Sequence, residues 1–207
     1  IASQPTFTNK RNYQRAQSTF IYYQNCNLPF RYSRFRILSQ DGKQQLFNKL
    51  QESRNFWAEI IAYCLMPNHF HFLLKQLKEN GISIFLRNFT DSYTRYFNTK
   101  QERNGPIFQG RFKAVRIETD EQLLHVGRYI HLNPHTSYVV KTLKDLENYP
   151  YSSLPEYLGD SSLKHEICNK EIMLGYFKNS TLYKQFVFEQ ADYQRTLGNI
   201  KHLLLET

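Results

Sequence analysis

A chain of 207 residues with 27 Lys/Arg, 18 Asp/Glu and 15% aromatic residues is long enough to bury a core, and it carries no apolar stretch able to span a bilayer. Its net charge of +9 is unevenly spread: residues 1–118 hold 18 Lys/Arg and 7 Asp/Glu, residues 119–207 hold 9 and 11, so the expected partner of the first part is a polyanion. Cys26, Cys64 and Cys168 have no CxxC spacing, which excludes a disulfide framework and a thiolate zinc site; with no charged-then-apolar leader in view, the expected compartment is the cytoplasm.

Residues 1–17 are polar and basic without a clear period and read as an arm ordered by contact with a partner. Residues 18–25 are β-branched and aromatic, which predicts a first strand. A loop over 26–39 follows, and Leu46, Phe47 and Leu50 at helical spacing predict a helix over 41–55. Through this first third, aromatics such as Tyr13, Tyr22 and Tyr32 alternate with Arg11, Arg15, Arg31 and Arg34, a mixture that suits base stacking with phosphate contact.

Residues 56–66 predict a second strand, Pro67-Asn68 a turn, and the run from His69 to Lys75 a third strand paired with the second as an antiparallel hairpin. Strand side chains alternate, so His69 and His71 share one face while Phe70, Phe72 and Leu74 take the other, read as the core side. Two imidazoles at that spacing can share one metal ion.

Residues 82–99 predict a long amphipathic helix with Ile84, Phe85, Phe89, Tyr93, Tyr96 and Phe97 as its apolar stripe. Arg103 to Pro106 break the chain, and residues 107–117 predict a loop leading into a fourth strand. Neither face of that strand is cleanly apolar, which suits an edge or a ligand-lined position. Residues 119–134 predict a helix with a Thr/Asp start and a proline stop, on which Tyr129 and Asn133 lie one turn apart on the same face. Residues 165–207 predict two or three short helices.

The order strand, helix, strand, strand, helix, strand, helix is a ferredoxin-like α+β pattern with one added helix. Packing of that helix on the open face of the sheet would bring Tyr129 and Asn133 over His69 and His71. The expected organisation is a basic arm (1–17), a main domain (18–158) and a C-terminal helical appendage (159–207).

Three runs carry a family resemblance: Tyr63-Cys64-Leu65-Met66-Pro67-Asn68-His69-Phe70-His71, Gly105 to Ala114, and Arg128-Tyr129-Ile130-His131-Leu132-Asn133-Pro134. In order and separation they resemble the single-tyrosine HUH transposases of the IS200-like family, and within it the REP-associated tyrosine transposases. The resemblance implies a ferredoxin-like HUH fold, His69 and His71 as metal ligands with Asn133 as the third, and Tyr129 as the nucleophile that cuts single-stranded DNA beside palindromic hairpins. The protein would act as a monomer or homodimer.

Two imidazoles and an amide oxygen would suit Mg²⁺ or Mn²⁺. Attack by Tyr129 would leave a 5′-phosphotyrosine link whose bond energy lets a 3′-hydroxyl rejoin the strand later. Arg11, Arg15, Arg111, Lys113, Arg116 and Arg128 are the expected DNA contacts. His125 and His131, on the same helix, read as structural. Rival readings are a domesticated transposase that only binds hairpins, and an RRM-like single-strand binding module, against which the missing RNP-like run argues.

Overall fold

In the computed structural model, the described residues are 5–108, 112–160 and 166–196. They form an α+β fold with one two-stranded antiparallel sheet, β1 (Ala58–Leu65) and β2 (Phe70–Gln76), among helices. The chain divides into two compact units, Ile1–Glu59 with Leu74–Lys113, and Ile60–Leu73 with Ala114–Thr207, and the hairpin contributes to both.

The first unit is built on α1 (Lys10–Gln24) and α4 (Gly81–Lys100). Asn9 caps α1 by accepting from the Asn12 amide, and Asn12, Tyr13, Ala16 and Phe20 bury one helical stripe. On α4 the buried stripe is Phe85, Leu86, Phe89, Tyr93 and Phe97. Phe20 meets Phe89 edge-on at 5.8 Å between ring centroids, and the Tyr93 hydroxyl donates to the Thr6 carbonyl at 3.0 Å. Helix α2 (Tyr32–Phe35) and helix α3 (Gln40–Ser53) gather Tyr32 and Leu50 around Tyr22.

Two expectations are corrected here. Residues 18–25 are not a strand: all but Asn25 lie in α1, because Phe20 continues the inward stripe of Tyr13 and Ala16, and packing outweighs the β propensity of Thr19 and Ile21. For the same reason residues 10–17 are not a free arm. At the head of α4, a β-carbon on Gly81 would stand 2.1 Å from the Trp57 carbonyl oxygen, so only glycine lets this helix start against the backbone before β1.

In the second unit, α5 (Asp120–Thr136) starts at Thr119, whose side chain accepts from the Gln122 amide. It runs through Pro134, two residues beyond the predicted stop. Helices α6 (Leu143–Glu147), α7 (Leu154–Tyr157), α8 (Glu171–Leu174) and α9 (Ser180–Phe188) complete the unit. The edge of β1 away from β2 is taken by the chain near Ser152. Leu65 N–H donates to the Tyr151 carbonyl at 2.8 Å, Ser153 N–H to the Tyr63 carbonyl at 3.0 Å, and Asn169 N–H to the Ile60 carbonyl at 2.9 Å. The Tyr149 and Tyr157 hydroxyls donate to the carbonyls of Leu65 and Ile61.

The described part of the predicted fourth strand, from Phe112 to Ile117, forms no ladder among the described residues, and its side chains from Phe112 to Arg116 are exposed. With no cleanly apolar face, burial gives it no reason to join a sheet.

Candidate active site

The turn at Pro67-Asn68 closes with Met66 N–H donating to the His69 carbonyl at 2.9 Å, which delivers His69 to the mouth of the hairpin and His71 onto β2. Alternation along the strand aims both imidazoles the same way, and their Nε2 atoms lie 3.0 Å apart with the ring planes at 89°. His69 Nδ1–H donates to the Asn68 side-chain oxygen at 2.6 Å. That leaves the His69 Nε2 lone pair directed at its neighbour.

The predicted core side of β2 needs correction. Phe70, Phe72 and Leu74 are only half-buried, whereas Leu73, on the histidine face, is buried. The cause is α5: a β-carbon on Gly127 would stand 3.9 Å from Leu73 Cδ2, so the helix lies over the histidine face. Tyr129 comes from that helix. Its ring meets His71 edge-on, with centroids 5.6 Å apart and planes at 80°, and 43% of the residue stays exposed to solvent.

Burial lowers the pKa of both histidines; for His71, burial together with the neighbouring His69 pushes it down to about 4. At neutral pH both rings are uncharged, the state in which imidazole binds metal. Two nitrogens 3.0 Å apart are spaced as adjacent ligands of one small cation, and the Asn68 oxygen behind His69 is the partner that orients such a ligand. The pair therefore fits a divalent cation. Among the described residues no third His, Cys, Asp or Glu joins it.

Asn133 lies one turn beyond Tyr129, is only 4% exposed, and its side-chain oxygen accepts from the Ser137 hydroxyl at 3.4 Å. The geometry thus unites His69, His71 and Tyr129 through direct ring contacts and leaves Asn133 tied to its own helix.

The opposite side of α5 is locked in place. His131 is fully buried, its Nε2 2.7 Å from the Ser153 hydroxyl and its Nδ1 2.7 Å from the Tyr183 hydroxyl of α9. Arg128 is buried too: its guanidinium lies 4.5 Å over the Phe186 ring and donates to His125 Nδ1 at 2.6 Å. It is a packing residue here and presents no free charge to a phosphate.

Of the other basic residues singled out in the sequence, Arg15 is sandwiched between the rings of Tyr32 and Tyr96 at 4.4 and 4.9 Å. Arg11, Lys113 and Arg116 are exposed, with Arg116 3.8 Å from Glu118, and Arg111 lies outside the described residues. Sequence reasoning missed Asn68 as the orienting partner of His69, although it had marked the same residue as a turn signal.

The site is thus a hairpin that converges two neutral imidazoles, faced by a solvent-accessible tyrosine on an overlying helix. Residues 28–133, about half of the chain, match the family described as transposase IS200 like. A Haemophilus influenzae protein named provisionally as a REP-associated tyrosine transposase is 32% identical over 139 residues, which cover 58% of this chain and 77% of that relative. No solved structure matches the chain. The chain belongs to the IS200-like transposase family, and its role is that of a transposase.

Proposed function

We propose that this transposase cleaves and rejoins single-stranded DNA beside palindromic hairpins, with Tyr129 as the nucleophile. The observation that carries this reading is the contact of the exposed Tyr129 ring with His71, half of the converged imidazole pair. In the forward step the Tyr129 oxygen bonds to phosphorus as the bond to the 3′-oxygen breaks; the phenolic proton is lost to solvent, and the departing 3′-oxygen gains one. The 5′-phosphate stays on the tyrosine until an incoming 3′-hydroxyl displaces it by the reverse of the same step.

His69 and His71 would hold a divalent cation, Mg²⁺ or Mn²⁺, with Asn133 as the proposed third ligand once its amide turns from Ser137. When bound, the cation neutralises charge on a non-bridging phosphate oxygen. The remaining work falls to the chain. Asn68 fixes the His69 ring, burial keeps both histidines unprotonated, and the anchoring of His131 and Arg128 holds α5 so that Tyr129 faces them. Exposed Arg11, Lys113 and Arg116 supply phosphate contacts, and the name of the Haemophilus influenzae relative supports a REP-type hairpin as the DNA.

The test is incubation of the full chain with end-labelled hairpin DNA bearing single-stranded flanks, in Mg²⁺ or Mn²⁺, followed by a denaturing gel. Expected are a shortened strand and a protein-linked product in equal amounts. Metal-independent cleavage without a linked product would overturn the mechanism.

A further inference from the structure

Beside the Tyr129 face of α5 lies an open groove of about 370 Å³ that the reaction above does not use. One wall is the segment with Val115, Arg116 and Ile117, the other is the first half of α5 with Glu121, Gln122, His125 and Val126. Its lining surface is mostly apolar, and Val115 is 87% exposed.

Three polar side chains lie on the helical wall: the Glu121 carboxylate is held at the helix start by its own amide and the Thr119 side chain, and the other two have fixed senses. The Gln122 side-chain oxygen accepts from the Glu118 amide at 2.8 Å, which leaves its NH₂ to donate. Arg128 can only donate, so His125 Nδ1 accepts from it, and Nε2 is the ring nitrogen that carries a proton. Gln122 and His125 are three apart and share a helical face. The groove therefore offers apolar walls together with two donors, and Arg116 on the rim is paired with Glu118 at 3.8 Å.

We infer that this groove binds one unpaired nucleobase of the DNA strand, next to the nucleotide that Tyr129 attacks, and prefers a base edge that presents hydrogen-bond acceptors. The inference rests on the transposase reading for the identity of the strand. Apolar side chains take the face of any base, which gives affinity without choice, whereas a pair of directed donors discriminates between base edges. Helix position adds a geometric reason: His125 lies one turn before Tyr129, so a base held there belongs to a nucleotide close to the reacting phosphate.

Two measurements separate this inference from the reaction itself. In the first, ¹⁵N NMR of the full chain is followed during titration with each of the four deoxynucleoside 5′-monophosphates, and with deoxyribose 5-phosphate as the base-free control. The expected result is shifts of the Gln122 side-chain amide and the Val126 backbone amide with at least one nucleotide and none with the control. The variant Gln122→Glu keeps the acceptor for the Glu118 amide but replaces the donor by a second acceptor, and it should weaken the preferred nucleotide about tenfold. Equal shifts with the control, no shifts at all, or unchanged preference in Gln122→Glu would overturn the groove assignment.

In the second measurement, a hairpin library with randomised flanks is incubated with protein and the covalently captured strands are sequenced. Wild-type protein should enrich one flank position, and Gln122→Glu should lose that enrichment while total capture persists. Enrichment identical in both proteins would overturn the groove assignment. A positive titration combined with no capture by wild-type protein would instead remove the cleavage reading and leave the groove as a base-binding site.

Discussion

The edge of the His71 imidazole rests against the ring of Tyr129, with centroids 5.6 Å apart and planes at 80°. The contact is made by the ring alone, so Tyr129→Phe should keep it and remove only the oxygen. Thermal stability and hairpin affinity should stay at wild-type values while strand cleavage and the protein–DNA adduct disappear. Peptide mapping of a trapped wild-type complex checks the assignment by placing the nucleotide on Tyr129.

Asn68 should tune metal affinity without touching metal. Removing the acceptor behind His69 in Asn68→Ala should weaken Mn²⁺ binding roughly 10- to 100-fold in a calorimetric titration, whereas Asn68→Asp, which keeps an acceptor, should restore most of it. His69→Ala and His71→Ala should abolish cleavage yet leave DNA binding, and Asn133→Ala should be milder. Wild-type metal affinity in Asn68→Ala would show that His69 is oriented by the turn alone.

Stability should fall in acid because of His131. Burial depresses its pKa from the ordinary 6.5 to about 3 in the folded chain. Between those values the unfolded chain binds a proton that the folded chain does not, so stability is fully present above about pH 6.5 and declines as pH falls toward 3. The slope from this one group is about 1.4 kcal/mol per pH unit. Urea unfolding at pH 7 and pH 5 should show the loss, and His131→Gln should be less stable at pH 7 but flatter with pH.

Gly81→Ala should destabilise the fold by roughly 2 kcal/mol, since the new methyl overlaps the Trp57 carbonyl and a backbone atom must yield. Differential scanning calorimetry reads this directly. A melting temperature equal to wild type would mean that α4 can shift its start without penalty.

Two arginines and a lysine separate binding from packing. Loss of exposed Lys113 or Arg11 should lower the slope of log affinity against log salt by about one each and leave the melting temperature unchanged. Arg128→Ala should do the reverse, because its guanidinium is sandwiched on Phe186 and serves His125. Fluorescence anisotropy across a salt series, run beside thermal melts, distinguishes the two outcomes.

The site was legible in the sequence wherever its information is local. A period of two placed His69 and His71 together, and a Thr cap with four-residue spacing placed Tyr129 and Asn133 on one helix. Long-range packing was not legible. Phe20 looked like a strand residue because its partner, Phe89, lies 69 positions on, and the polar residues 10–17 disguised the two apolar positions, Tyr13 and Ala16, that continue its stripe. His131 could be placed on the far side of α5, but its partners Ser153 and Tyr183 sit 22 and 52 residues downstream and carry no mark of that role. The basic residues divided, because charge says nothing of whether a guanidinium meets water or an aromatic ring: Arg11, Lys113 and Arg116 are exposed, whereas Arg15 and Arg128 meet rings.

The chain near Ser152 that lines β1 has a consequence for how copies of this protein meet. A short hairpin with an open side invites any extended strand to zip onto it, including the same hairpin of another molecule. From Tyr63 to Leu65 that side is already hydrogen-bonded to residues 151–153, so β1 offers no template there. A crowded solution of this transposase is therefore protected along that stretch of β1 from fusing sheet to sheet.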